Sequence, residues 1–128
     1  MKKHLIILTL LFTLMFSSTS YAEWTKYNEN DVGDRFYLDF DRIRKHDGYV
    51  YYWRLSDYLK PTEFGDLSVK VYMQGDCKLF RIKGLSLTSY KYPMGEGDSD
   101  TETPSDEWIY PHPEAGIEKS LNYACNNL

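Results

Sequence analysis

Two cysteines constrain this chain more tightly than any other feature. Cys77 and Cys125 are the only cysteines among its 128 residues, and what they do depends on the compartment the chain enters. The N-terminus answers that. Lys2 and Lys3 form a basic start, Leu5 to Phe16 an apolar run broken by Thr9 and Thr13, and Ser20-Tyr21-Ala22 a small-x-small cleavage site. The run is shorter than the ~20 apolar residues a spanning helix needs, so residues 1–22 read as a secretory signal peptide cleaved after Ala22. No cysteine follows the run to accept a lipid, and the expected product is periplasmic or secreted rather than lipid-anchored. In an oxidising compartment an even cysteine pair in a small domain reads as a disulfide. A metal pair or redox pair fits poorly, because the two lie far apart and no Cys-x-x-Cys occurs. Closing a loop of this length contributes about 4 kcal/mol in the chain-entropy model.

Cleavage leaves residues 23–128, enough for one domain with one core. Losing Lys2 and Lys3 takes the basic count from 15 to 13 against 19 acidic residues. A net acidic chain without a Lys/Arg cluster is a poor partner for nucleic acid or an anionic membrane surface.

The middle of the chain alternates with the period of β-strands. Phe36, Leu38 and Phe40 share a face, and His46-Asp47-Gly48 is a turn signal. Tyr49 to Tyr58 is the most strand-prone stretch, with Tyr49, Tyr51, Trp53 and Leu55 on one face and Val50, Tyr52, Arg54 and Ser56 on the other. Strands on either side of Asp47-Gly48 predict an antiparallel hairpin. Residues 60–66 break the pattern, and Leu67, Val69, Val71 and Met73 then alternate with Ser68, Lys70 and Tyr72. Gln74-Gly75-Asp76 predicts a second turn, with Cys77 opening a strand to about Tyr90. Its imperfect alternation calls for a bulge or bend near Gly84.

Residues 95–107 are acidic and almost free of apolar side chains, which predicts a mobile surface loop. After Trp108 to Pro113, the segment Glu114 to Asn126 places Ile117, Leu121, Ala124 and Cys125 at i, i+4, i+7 and i+8, one face of a helix. Cys125 then points toward the sheet carrying Cys77. The predicted class is α+β: an antiparallel sheet of five or six strands with a C-terminal helix packed on it and one disulfide.

Candidates for chemistry are few. Beyond the leader only His46 and His112 remain, one beside Asp47 in a turn and one between two prolines. A general base needs a nucleophile within reach and a third group to orient it, and neither histidine has such neighbours in sequence, so no enzyme is expected. Asp98, Asp100 and Glu102 stand at alternate positions, as oxygen ligands do in calcium loops. Thr103 occupies the position of the required glycine, however, and Ile109 that of the bidentate glutamate. They are weak metal candidates in a solvated acidic segment, and no cofactor is called for. Tyr and Trp dominate binding hot spots, although aromatics also fill strand faces. The mixed faces carrying Tyr52, Arg54 and Tyr58, and Lys70 and Tyr72, are the expected contact surface.

An ordered set of segments resembles the surface-adhesin protein E family of small exported bacterial domains. It comprises Phe36-Tyr37-Leu38-Asp39, Val50 to Tyr58, Ser68-Val69-Lys70, Asp76-Cys77 with Arg81, Met94-Gly95-Glu96-Gly97, Trp108-Ile109-Tyr110-Pro111 and Cys125. The resemblance implies an antiparallel sheet with a C-terminal helix and one disulfide. The founding adhesin is lipid-anchored in the outer membrane and binds host matrix and plasma proteins; this chain departs from it in having no lipidation cysteine. The expected function is a non-enzymatic exported binding module with a protein partner, a host extracellular protein being one such partner. The alternative is a soluble periplasmic small-molecule or metal binder, and a homodimer through a sheet edge is a further expectation.

Overall fold

The computed structural model describes residues 23–113 and 116–127; the expected signal peptide and the expected cleavage after Ala22 lie outside them. The strands are β1 (Thr25–Glu29), β2 (Arg35–Leu38), β3 (Arg44–His46), β4 (Tyr49–Asp57), β5 (Ser68–Asp76), β6 (Arg81–Tyr92) and β7 (Glu96–Glu102), followed by the helix α1 (Gly116–Asn126). All pairings are antiparallel, in the order β1-β2-β4-β5-β6-β7, with β3 paired to β4 beside that path. The class is α+β as the residues predict, and the described residues form seven strands where about five or six were expected.

Local chemistry accounts for the regular parts. Asp47 and Gly48 both take positive φ (52° and 85°), the geometry of the two-residue turn that matches strand twist, and His46 faces Tyr49 across it. The strand entering this hairpin is interrupted by a 3-10 turn at Phe40–Arg42, so β2 and β3 pair with opposite ends of β4. The expected bulge is present. Tyr72 faces Ser86 while Met73 faces Gly84, leaving Leu85 as the extra residue.

Two expectations are corrected. Gln74-Gly75-Asp76 is the end of β5 rather than a turn. The turn comes at residues 77–80, where the Asp76 carboxylate accepts the N–H groups of Lys78 and Leu79, each at 3.1 Å. Cys77 thus sits in a turn and opens no strand. Gly75 is there for space: a Cβ on it would lie 2.6 Å from Leu121 Cδ1 and 2.8 Å from Val50 Cγ2. The acidic segment is also not a loop throughout, since residues 96–102 pair with β6 as an edge strand. Both faces of that strand stay exposed, so it needs no apolar residues; the long edge of β6 supplies hydrogen-bond partners that outweigh composition.

One face of the sheet carries the core. Leu38, Val50, Tyr52, Val71, Met73 and Ile82 pack there against Leu121 and Ala124 of α1. Each fully buried side chain of this size contributes about 1.5–3 kcal/mol. The Cys77–Cys125 disulfide, spanning 5.8 Å between Cα atoms, ties the turn after β5 to the last turn of α1. No described helix is long and apolar enough to cross a membrane.

Candidate functional site

With α1 on one side, alternation assigns every remaining strand residue to the outer face. Cross-strand register then orders these residues in rows. One row reads Arg44, Tyr51, Gln74, Lys83 across β3 to β6. The next reads Trp53, Tyr72, Ser86, and a third Lys26, Tyr37, Leu55, Lys70, Thr88, Thr101.

The third row is partly roofed. The 3-10 turn Pro93–Gly95 sits over it, held by the Met94 N–H donating to Asp57 Oδ1 (2.8 Å) and the Gly95 N–H donating to Ser68 Oγ (2.8 Å). Under that turn Leu55 and Ser68 are fully buried. Lys70 remains beside it, its ammonium 5.3 Å from the Tyr90 ring and 6.0 Å from the Trp24 ring, distances at which a cation is attracted to the ring face.

The first two rows have no such roof. Trp53 and Tyr72 lie 4.7 Å apart between ring centroids, and Tyr51 and Tyr72 6.1 Å apart with planes 28° from parallel. These rings brace one another and stay half-buried. At the end of β6, Trp108 lies against Arg81 (4.2 Å), Lys83 (4.6 Å) and Tyr49 (5.5 Å). Reciprocal backbone bonds between Ile82 and Ile109, both 2.8 Å, hold it in place. The result is a face of interleaved aromatic rings and cations.

The expected contact residues divide between the two sides. Lys70 and Tyr72 are on the outer face. Tyr52 and Arg54 are on the helix face, and Tyr52 is 0 % exposed; this corrects its placement on an exposed surface. Burial pushes the Tyr52 phenol up to about 12, with the Ser120 hydroxyl and the Arg54 guanidinium offsetting part of the effect. Burial likewise raises the Tyr27 phenol nearby, against the pull of Arg54. Tyr58 lies beyond β4 and lines a separate cavity of about 350 Å³ with Val32 and Leu59. Tyr51, Trp53 and Trp108 belong to the outer face and sequence reasoning missed them. The alternation of β4 separates the two sets correctly, but only the docking of α1 tells which set is covered. Nothing local foretells that Trp108 folds back onto β6.

The weak metal candidates do not form a site. Asp98, Asp100 and Glu102 follow one another along one side of an extended strand, so the first and last are about 13 Å apart, too far to share an ion with ligands at roughly 2.3–2.6 Å. Among the described residues no three His, Cys, Asp or Glu side chains gather as metal ligands. Asp100 and Glu102 instead border a cavity of about 430 Å³ with Phe64 and Lys91. There the Lys91 ammonium holds Asp66 (3.0 Å) and donates to the Phe64 carbonyl (2.9 Å). His46 contacts Asp47 at 3.1 Å in the open hairpin turn, and His112 is exposed. Neither lies within a hydrogen bond of a described serine, threonine or cysteine.

No curated protein matches the chain significantly. The family model for surface-adhesin protein E matches residues 24–126, from the Trp24 that flanks Lys70 to the end of α1. The match spans every described strand, the helix and both cysteines, so the chain belongs to the surface-adhesin protein E family.

Proposed function

We propose that this protein is a non-enzymatic binding module that engages a protein partner with the open part of its outer sheet face. It reaches that partner through export by residues 1–22, with cleavage after Ala22, into the periplasm or the medium. The observation that carries this reading is the Tyr51–Tyr72–Trp53 stack, left half-exposed on the face that α1 does not cover. Rigid aromatic side chains lose little conformational freedom on binding and offer large contact area, which is why Tyr and Trp anchor so many interfaces. Family membership supports an adhesive role, and a host extracellular protein is one partner class consistent with it.

The test uses the disulfide-bonded protein immobilised and titrated with purified envelope proteins and purified host matrix proteins. The expected result is saturable binding of one of them at micromolar concentration, lost in Tyr72→Ser while circular dichroism stays unchanged. Absence of any saturable partner, or binding indifferent to Tyr72→Ser, refutes the proposal.

A further inference from the structure

We infer that the corner of the outer face at β3, β4 and β5 receives an acidic, extended segment of the partner protein, an assignment that rests on the binding role proposed above. A cavity of about 390 Å³ opens there, lined by Arg44, Lys45, His46, Tyr51 and Tyr72. Arg44, His46, Tyr51 and Tyr72 share the outer face here, Lys45 borders the cavity from the position between Arg44 and His46, and no carboxylate residue lines it.

The charge at this corner runs against the rest of the chain, which carries a formal net charge of −4. Elsewhere six of the described cations are paired with carboxylates, Lys26 with Glu29 among them. Arg35 holds Glu29, Arg42 holds Asp39, Arg81 holds Asp76, Lys83 holds Asp106 and Lys91 holds Asp66. At the corner the neighbouring carboxylate, Asp47, engages His46. Arg44 and Lys45 have no ion-pair or side-chain hydrogen-bond partner among the described residues. Arg44, unneutralised and on the same face as the Tyr51 and Tyr72 phenols, can bind a carboxylate in bidentate fashion, and Lys45, on the opposite face of β3 beside Val50, adds an unpaired positive charge at the same edge.

The backbone argues for a peptide rather than an acidic glycan. All three residues of β3 are exposed, and β3 pairs with β4 alone among the described strands. Its other edge presents unpaired N–H and C=O groups that an extended chain can complete and a polysaccharide cannot. Alternate side chains of a strand added there fall on the same side as Arg44, toward the row that continues to Tyr51 and Gln74. The rigid Tyr51–Tyr72 stack closes the wall of the cavity against them.

The experiment is fluorescence anisotropy with a labelled peptide alternating glutamate and serine, beside matched peptides bearing glutamine or lysine and a labelled heparin oligosaccharide. The expected result is binding of the glutamate peptide alone, weakening with salt and falling about tenfold in Arg44→Ala/Lys45→Ala. Both positions are exposed, so the fold should persist, as circular dichroism will verify. The charge-reversed Arg44→Glu/Lys45→Glu protein should prefer the lysine peptide. Equal binding by the alanine variant, tighter binding of heparin than of the glutamate peptide, or peptide uptake only through self-association overturns the inference. A protein partner that is lost with Tyr72→Ser but retained by Arg44→Ala/Lys45→Ala overturns it too, while leaving the binding role intact.

Discussion

Replacing Gly75 with alanine tests the packing that separates the two faces of the sheet. Gly75 does not have positive φ, so the backbone accepts alanine, and removing a glycine from a strand should by itself stabilise by about 0.5–1 kcal/mol. The added Cβ meets Leu121 Cδ1 at 2.6 Å, Val50 Cγ2 at 2.8 Å and Tyr52 Cε1 at 3.4 Å. Leu121 and Tyr52 are fully buried and Val50 nearly so. None can turn outward, and a β-branched valine in a strand has little rotamer freedom. Overpacking of this kind costs about 1–3 kcal/mol. The net expectation is a loss of about 1–2 kcal/mol, a fall in Tm of roughly 5–10 °C for a domain of this size. Urea denaturation followed by tryptophan fluorescence measures it. Leu121→Ala alone should cost about 2–5 kcal/mol. In that background Gly75→Ala should cost distinctly less, because its methyl enters vacated space, giving a coupling on the order of 1 kcal/mol. A neutral or stabilising Gly75→Ala, or the same cost in both backgrounds, would refute the close approach of α1 at this position.

Cys77→Ser should lower stability by about 4 kcal/mol, and wild type in reductant should melt with it; a melt unchanged by reductant would exclude the bridge. Asp76 and Asp39 should respond to acid in opposite senses. Burial raises the Asp76 pKa, but the N–H groups of Leu79 and Lys78 and the Arg81 guanidinium outweigh it and hold the carboxyl below its ordinary value. Its stabilisation is therefore complete above about pH 4 and is lost as pH falls through the lower native pKa, so the advantage of wild type over Asp76→Asn should shrink only in strong acid. Burial holds Asp39 above its ordinary value despite Arg42, so wild type should gain on Asp39→Asn as pH falls through that raised pKa. Parallel acid-denaturation curves for wild type and either variant would contradict that assignment. Finally, Glu96, Asp98, Asp100 and Glu102 line the β7 edge, where like charges oppose pairing with the same strand of a second copy. Changing Asp98 and Asp100 to serine should increase concentration-dependent association in sedimentation velocity, and no change would show that these charges do not guard the edge.

How much was legible in the residues varies with the range of the interaction. The hairpin at Asp47-Gly48 and the apolar stripe of α1 were readable because each is local: a two-residue turn and a 3.6-residue period carry their own geometry. The bulge opposite Tyr72 was readable because the alternation of β6 breaks beside Gly84. Gly75 misled because a glycine needed for room looks the same in sequence as one needed for a turn. The acidic strand β7 was missed because an edge strand exposed on both faces leaves no hydrophobic pattern. The candidate surface was half legible: Lys70 and Tyr72 are on it, while Tyr52 and Arg54 are on the other side of the same sheet.

By itself, the sequence determined the strand periodicity, the helix with Cys125 on its inner face and the cysteine pairing, all properties of spacing along the chain, and its ordered segments carried the likeness to an adhesin family. Tertiary structure decided which face of the sheet is core. Helix α1 docks on Val50, Tyr52 and Met73, and so leaves Tyr51, Trp53 and Tyr72 outside with Arg44 beside them. Period-two alternation divides a strand into two faces but carries no label for either. That label comes only from the helix, docked where Gly75 makes room and tied by Cys77–Cys125.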